Sequence, residues 1–445
     1  MTTGKTSFVI TGGTPLRGSV RVSGAKNASY KLMVAALLGD EKSRILNLPA
    51  ISDVAMVAEV INSLGAEAKF SGEGSYFIDP KGLNSFAVGN QYGAISRAST
   101  IFIAPLLAKF GEAQVPLPGG DKIGKRPLER HFEGLEKMGA SFSQENGMLI
   151  VTAEKLIGTR YRFAKNTHTG TETLILAAVK AEGTTYLENA ALEPEIDDLI
   201  LFLNNMGAKI RRTAHRTIEI QGVEHLTGAI HRVMPDRNEA VSYACAAIAS
   251  KGDIIVENAR EADLIAFLQK LDEIGGGYEI GDYGIRFFYK GPLKATDLLT
   301  EIHPGFMTDW QPLWAVLACH AKGTSIIHET VMQNRFQYVD ILRQMGANIE
   351  EYSPLVNTDA EEFYNFNWQD RKETDIRAIK ITGPTNFNGG EFTVHDLRAG
   401  ATVMLAAISG TGQTILHNVE QIERGYSEID KKLVSMGAEI KRVIE

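Results

Sequence analysis

Gly183-Thr-Thr-Tyr-Leu-Glu-Asn189 is answered 69 residues later by Gly252-Asp-Ile-Ile-Val-Glu-Asn258. Each stretch is a glycine, a short alternating strand and a polar turn, and each follows an alanine-rich apolar run of helical length. Comparable stretches begin at Gly39, Gly111, Gly323 and Gly412, so six copies succeed one another at intervals of 72, 72, 69, 71 and 89 residues. A second marker alternates with the first: Leu, Met or Ile, then Gly, then Ala or Gly, with glycines at Gly65, Gly139, Gly207, Gly275, Gly346 and Gly437. Runs such as Asp53 to Leu64, Glu195 to Met206 and Tyr426 to Met436 carry apolar residues at three- and four-residue spacing, and the glycine after each suits a left-handed helix stop.

The repeating unit therefore reads as strand, buried helix, strand, amphipathic helix and one or two further strands. That is an α/β class in which sheets cover the helices. Ala240 to Ala249 and Leu313 to Ala321 are apolar nearly all round, which predicts helices enclosed by sheet rather than set outside a barrel. The long last interval is filled by the acidic, aromatic segment Glu350 to Arg377, read as a surface insertion without chemistry.

At 445 residues the chain exceeds one ordinary core and favours two domains. No run approaches the roughly 18 apolar residues that span a bilayer, and Met1 to Gly13 lacks a signal-peptide core, so a cytoplasmic location is expected. Cys245 and Cys319 lie in apolar, alanine-rich runs, which predicts buried reduced thiols. A net charge of −8 argues against nucleic acid as partner and requires any anionic ligand to find a local cluster of cations.

Such a cluster is legible at the helix starts. Counting back 13 to 15 residues from each glycine of the first marker gives Lys26, Arg97, the Thr169-Gly170 turn, Arg237, Asp309 and Arg398. A cation in the first turn opposes the helix dipole, so four of them point to an anionic ligand. The competing reading makes Asp309 and Asp396 plain caps and the arginines solvated. Pro118-Gly-Gly-Asp-Lys-Ile-Gly-Lys-Arg-Pro127 adds a glycine-rich loop with three cations around Asp121. No His, Cys and carboxylate spacing reads as a metal site.

These residues resemble the UDP-N-acetylglucosamine 1-carboxyvinyltransferases, which start the route to the peptidoglycan precursor. The resemblance rests on Ser23-Gly-Ala-Lys-Asn-Ala28, Arg97-Ala-Ser99, Leu117 to Pro127, Glu193-Pro-Glu-Ile196, Pro235-Asp-Arg237, His303 to Asp309, Asn334-Arg-Phe336, Asp396-Leu-Arg-Ala399 and Arg424-Gly-Tyr426. It implies a two-domain inside-out α/β barrel. One domain takes 1–22 and 233–445; the other takes 23–232, with 117–127 as a mobile loop and 350–377 as an insertion in the first. The implied substrates are phosphoenolpyruvate and UDP-N-acetylglucosamine, with no metal, organic cofactor or obligate protein partner.

The resemblance further implies that Lys26, Asn27, Arg126, Arg398 and Arg424 bind phosphoenolpyruvate. Arg97, Arg126, Pro127, Leu128, Glu129, Arg130, Asn166, Thr167, His168, Thr169, Asp309 and Val331 are the implied contacts of the sugar nucleotide. The implied catalytic set is Asp121, Lys26, Asp309, Asp396 and Arg424, with Asp309 the candidate base. Many members carry cysteine at the position of Asp121, the residue that fosfomycin alkylates, so insensitivity to the drug is expected here. Asn166-Thr-His-Thr-Gly-Thr171 also departs from the smaller Ser-Val-Gly turn of relatives. The shikimate-type transferase would carry Ser-Lys-Ser where Ala25-Lys26-Asn27 stands, and an inactive scaffold would be expected to lose the helix-start cations; both remain alternatives to test.

Overall fold

The computed structural model describes residues 6–117 and 128–444, apart from 94–96, and gives only the backbone for 97–99. Its described residues fall into two compact units, 6–23 with 235–444 and 24–117 with 128–234. Each unit has its own continuous apolar core.

The repeat appears as a recurring sheet. Ile230–Arg232 runs parallel to Ser43–Leu46, Arg160–Arg162 to Thr184–Glu188, Arg17–Arg21 to Asp253–Glu257, Leu298–Leu299 to Gly323–His328, and Asn388–Thr393 to Thr411–His417. The strand Glu112–Pro116 makes the same parallel approach through a single bridge, Ala87 to Gln114. On its other side each of these strands pairs antiparallel with a further strand. In the last repeat that place is taken by Thr6–Thr11, which lies between Thr411–His417 and Glu439–Ile444.

Each sheet accompanies one buried helix: α1 (Lys26–Ala35), α2 (Ile103–Phe110), α3 (His168–Ala178), α4 (Arg237–Ala249), α5 (Gln311–His320) and α6 (Leu397–Ser409). Every residue of α4 is buried: Ala240 to Ala249 as their nearly all-round apolar pattern requires, and the polar first turn Arg237 to Glu239 as well. Helices α4, α5 and α6 touch one another pairwise and form the centre of their unit. Cys245 on α4 and Cys319 on α5 are free and buried, and burial pushes both thiols above their ordinary range.

All six stop glycines have the expected left-handed backbone, with φ from 90° at Gly275 to 106° at Gly346. The expectation for Tyr426 to Met436 fails at its start, because the helix is Ile429–Ser435. Glu428, at φ 52°, breaks the backbone there, and a separate short turn, Glu420–Glu423, precedes it. The segment read as an insertion begins later than expected: Glu350 to Tyr352 complete the strand Asn348–Tyr352, which pairs with Ala378–Gly383. Among the described residues no helix is long and apolar enough to cross a membrane.

Candidate active site

In the unit 6–23 with 235–444, the starts of the buried helices carry an ionic network. Asp309, two residues before α5, is held by Arg335 (Nη2 to Oδ1, 2.5 Å) and by Arg398 at the start of α6 (Nη2 to Oδ2, 3.3 Å). Both guanidinium side chains are 4% exposed, and Asp309 is 21% exposed. Burial works against the Arg335 charge, but Asp309, Asp396 and Glu329 outweigh it and hold Arg335 protonated. Arg398 also donates through Nη1 to the Tyr426 hydroxyl at 2.8 Å, which lies 2.7 Å from Ser242 Oγ. These bonds fix the arginine fork so that its orientation is set before any ligand arrives.

Asp396 has a different local task. Its Oδ1 accepts from Arg398 N at 3.0 Å and Ala399 N at 2.8 Å, the geometry of a helix cap, as the bland reading allowed. Asp236 caps α4 in the same way. Arg237 donates from Nη1 to His303 Nδ1 at 3.1 Å, which makes that nitrogen the acceptor. Arg424 donates to Gln421 Oε1 at 3.3 Å. The amide of Val331 donates to Glu329 Oε1 at 2.8 Å.

In the unit 24–117 with 128–234, Lys26 opens α1 and pairs with the buried carboxylate of Asp53 (Nζ to Oδ2, 2.6 Å); Asn27 follows it, half-buried. A cation in the first turn of these helices therefore does not by itself call for an anionic ligand, because a carboxylate of the fold can answer it. Lys26 and Arg398 are each ion-paired within their own unit, and Arg237 faces His303 and the Trp310 ring. Arg97 begins the turn Arg97–Phe102, and its side chain lies outside the description, as do Asp121, Arg126 and Pro127 altogether.

Leu128 and Glu129 lead into the helix Glu129–Lys137, from which Arg130 Nη1 donates to the Asn166 carbonyl at 3.2 Å. Thr167 caps α3, accepting from Gly170 N at 3.2 Å, and the Thr169 carbonyl accepts from Thr173 Oγ1. Of the residues named from the sequence, the structure sets Asn166, Thr167, His168 and Thr169 at the start of α3, with Arg130 against the Asn166 carbonyl.

The sequence reading misses what stands beneath them. Glu172, wholly buried one turn into α3, pairs with Lys31 of α1 (Nζ to Oε2, 2.5 Å) and with His168 (Nε2 to Oε1, 3.2 Å). A lysine inside the apolar run of α1 and a glutamate inside that of α3 were the available signal, since neither stays buried without a partner. Burial opposes the His168 charge and Glu172 outweighs it; Lys31 also opposes and Glu193 adds support, so the pKa stands above its ordinary value. A raised pKa contributes stability that is complete below the unfolded value of about 6.5 and is lost as pH rises through the folded one. The His168→Gln variant is expected to lose more stability at pH 6 than at pH 9 in urea titrations; equal losses at both would count against a charged His168.

Among the described residues no three His, Cys, Asp or Glu side chains form a group able to hold a metal ion.

The family described as EPSP synthase (3-phosphoshikimate 1-carboxyvinyltransferase) matches residues 10–433. The crystal structure of the enolpyruvyl transferase NikO from Streptomyces tendae superposes with a TM-score of 0.85 at 23% identity, covering 99% of this chain and 100% of that one. The EPSP synthase from Acinetobacter baumannii gives 0.71 at 19%, over 99% and 100%. The fold is therefore that of the enolpyruvyl transferases. The UDP-N-acetylglucosamine 1-carboxyvinyltransferase of Idiomarina loihiensis is 40% identical over 437 residues, 98% of this chain and 99% of its own. That of Koribacter versatilis is 40% identical over 441 residues, 98% and 96% of the two chains. The chain belongs to the UDP-N-acetylglucosamine 1-carboxyvinyltransferase family.

Proposed function

We propose that this enzyme transfers the enolpyruvyl group of phosphoenolpyruvate to the 3-hydroxyl of UDP-N-acetylglucosamine and releases phosphate, in the first committed step of peptidoglycan precursor synthesis. The observation that carries the reading is full-length identity of 40% to relatives of that name. Asp309, clamped between two buried arginines, supports it locally. Both substrates are phosphate esters that do not cross a bilayer unaided, so the reaction belongs in the cytoplasm.

In the chemistry, the sugar oxygen bonds to C2 of phosphoenolpyruvate while a proton adds to its methylene carbon. The resulting phosphate ketal then loses a methyl proton and phosphate, which restores the double bond. Asp309 is the base at the hydroxyl. Its Oδ2 shares Arg398. An anionic substrate that engages Arg398 releases that oxygen for the proton, which couples donor binding to acceptor activation. Lys26, Asn27, Arg126, Arg398 and Arg424 bind the phosphate and carboxylate and stabilise charge as phosphate leaves. Asp396 assists proton transfer from the cap of α6. Asp121 is the proton donor to the methylene carbon, a role that requires a carboxyl still protonated near neutral pH. Arg97, Pro127 to Arg130, Asn166 to Thr169 and Val331 contact the sugar nucleotide.

The acceptor is tested by thermal stabilisation. UDP-N-acetylglucosamine at 100 times its Kd is expected to add about 2.7 kcal/mol, and shikimate 3-phosphate nothing. The converse pattern would reassign the acceptor, and no response to either would favour a scaffold. Fosfomycin provides a second check, since an aspartate offers it no thiolate to alkylate. Wild-type activity is expected to survive the drug and Asp121→Cys to be inactivated progressively; a wild type inactivated at the same rate as the variant would remove Asp121 from that position.

A further inference from the structure

Four repeats join the two antiparallel strands after the amphipathic helix by two to five residues, as between Gly281 and Gly284. In the fifth, residues 353–377 separate Asn348–Tyr352 from Ala378–Gly383. This segment has a small core of its own. The Tyr364 ring stacks on Trp368 at 4.8 Å and 9°, Phe366 packs beside them, and Arg371 and Arg377 lie over Trp368 at 4.2 and 4.9 Å.

Several of its polar groups meet the stretch His328 to Gln333. The Glu329 amide donates to the Arg377 carbonyl at 2.8 Å, and the Asn365 amide donates to the Thr330 carbonyl at 2.8 Å. Gln333 Nε2 donates to the Asp370 carbonyl at 2.9 Å and to Asp375 Oδ2 at 2.7 Å, and the Tyr364 hydroxyl lies 3.0 Å from His328 Nε2. The same stretch is also tied to the core. The buried Glu329 carboxylate accepts from the Val331 and Met332 amides and from the hydroxyls of Thr300 and Thr308, at 2.8 to 2.9 Å. Two residues beyond Gln333 stands Arg335, which holds Asp309.

We propose that residues 353–377 are a positioning element for the acceptor sugar nucleotide: they clamp Glu329 to Gln333 from outside, fixing Val331 and the approach to the Arg335–Asp309 pair. This rests on the acceptor reading of Val331 and Asp309 given above. A surface ornament would need no such contacts, because its aromatic core alone would hold it together.

The test uses Gln333→Ala and Trp368→Ala in the full chain, with two readouts. Loss of a hydrogen bond to a charged carboxylate corresponds to roughly tenfold or more in an equilibrium. About a tenfold rise in KM for UDP-N-acetylglucosamine is therefore expected, with kcat and the KM for phosphoenolpyruvate nearly unchanged. Hydrogen exchange at the Val331 and Met332 amides is expected to speed up by a similar factor, while Gly323–His328 and Ala378–Gly383 keep their protection. Unchanged exchange at those amides, or equal acceleration in the two strands, would overturn the clamp whatever the activity. Faster exchange with an unaltered KM would overturn its role toward the acceptor. A wild type that turns over no UDP-N-acetylglucosamine would sink the acceptor reading itself, and exchange would still decide the clamp.

Discussion

Asp309→Asn is expected to lower kcat by roughly 10² to 10⁴-fold while the protein remains folded, the range typical of losing a positioned acid or base. The substitution keeps the side-chain shape and one accepting oxygen but removes the charge that two guanidiniums share. Arg335 and Arg398 are then left facing a neutral amide in a setting where their own charges are buried. Some stability is lost as well. That loss should fall short of the roughly 3–5 kcal/mol of a wholly buried pair, because Asp309 is 21% exposed and water screens part of the interaction. Steady-state kinetics beside a urea titration separates the two effects. If kcat fell only in proportion to the folded fraction, Asp309 would be a structural anchor and the base would lie elsewhere.

The second large effect is on stability. Glu172→Ala is expected to cost about 3–5 kcal/mol in the unit that contains it, since it takes the ion-pair partner from the buried Lys31 ammonium and leaves only the weaker influence of Glu195. Glu172 is 0% exposed and Lys31 3%. Against a total of roughly 5–15 kcal/mol for a typical domain, that is a large share. The double replacement Lys31→Met with Glu172→Leu is expected to recover most of it, because well-packed apolar residues in place of a buried pair are often neutral or stabilising. Denaturant unfolding of the three proteins decides the matter. Equal destabilisation by the single and double changes would mean that packing volume, not the unpaired charge, set the cost.

These two centres also mark where the sequence stopped being informative. The repeat was fully legible because its punctuation is stereochemical: Gly65, Gly139, Gly207, Gly275, Gly346 and Gly437 all sit at positive φ. Asn47, Asn189, Asn258 and Asn418, which close the strands, do so too, and few other residue types tolerate that backbone. Burial of Ala240 to Ala249 follows from their lack of a polar face, whereas that of Arg237 to Glu239 has no such signal.

Partnership carries no periodic signal. Lys31 and Glu172 lie on different repeats, and each reads in isolation as an oddity inside an apolar run. Arg335 lies within the motif Asn334-Arg-Phe336, yet only the fold brings its fork to Asp309. Lys26 reads in sequence as a cation awaiting a ligand because Asp53 gives no hint that it will reach it. The helix start at Ile429 was missed because the apolar spacing continues back through Tyr426, across the left-handed turn at Glu428.

Phosphate release from phosphoenolpyruvate, measured with and without UDP-N-acetylglucosamine and with no added metal, tests the central claim most directly. Release that requires the sugar nucleotide, persists with fosfomycin and disappears in Asp309→Asn is the predicted result; folded wild-type protein that releases no phosphate, or releases it equally without the sugar nucleotide, would contradict it.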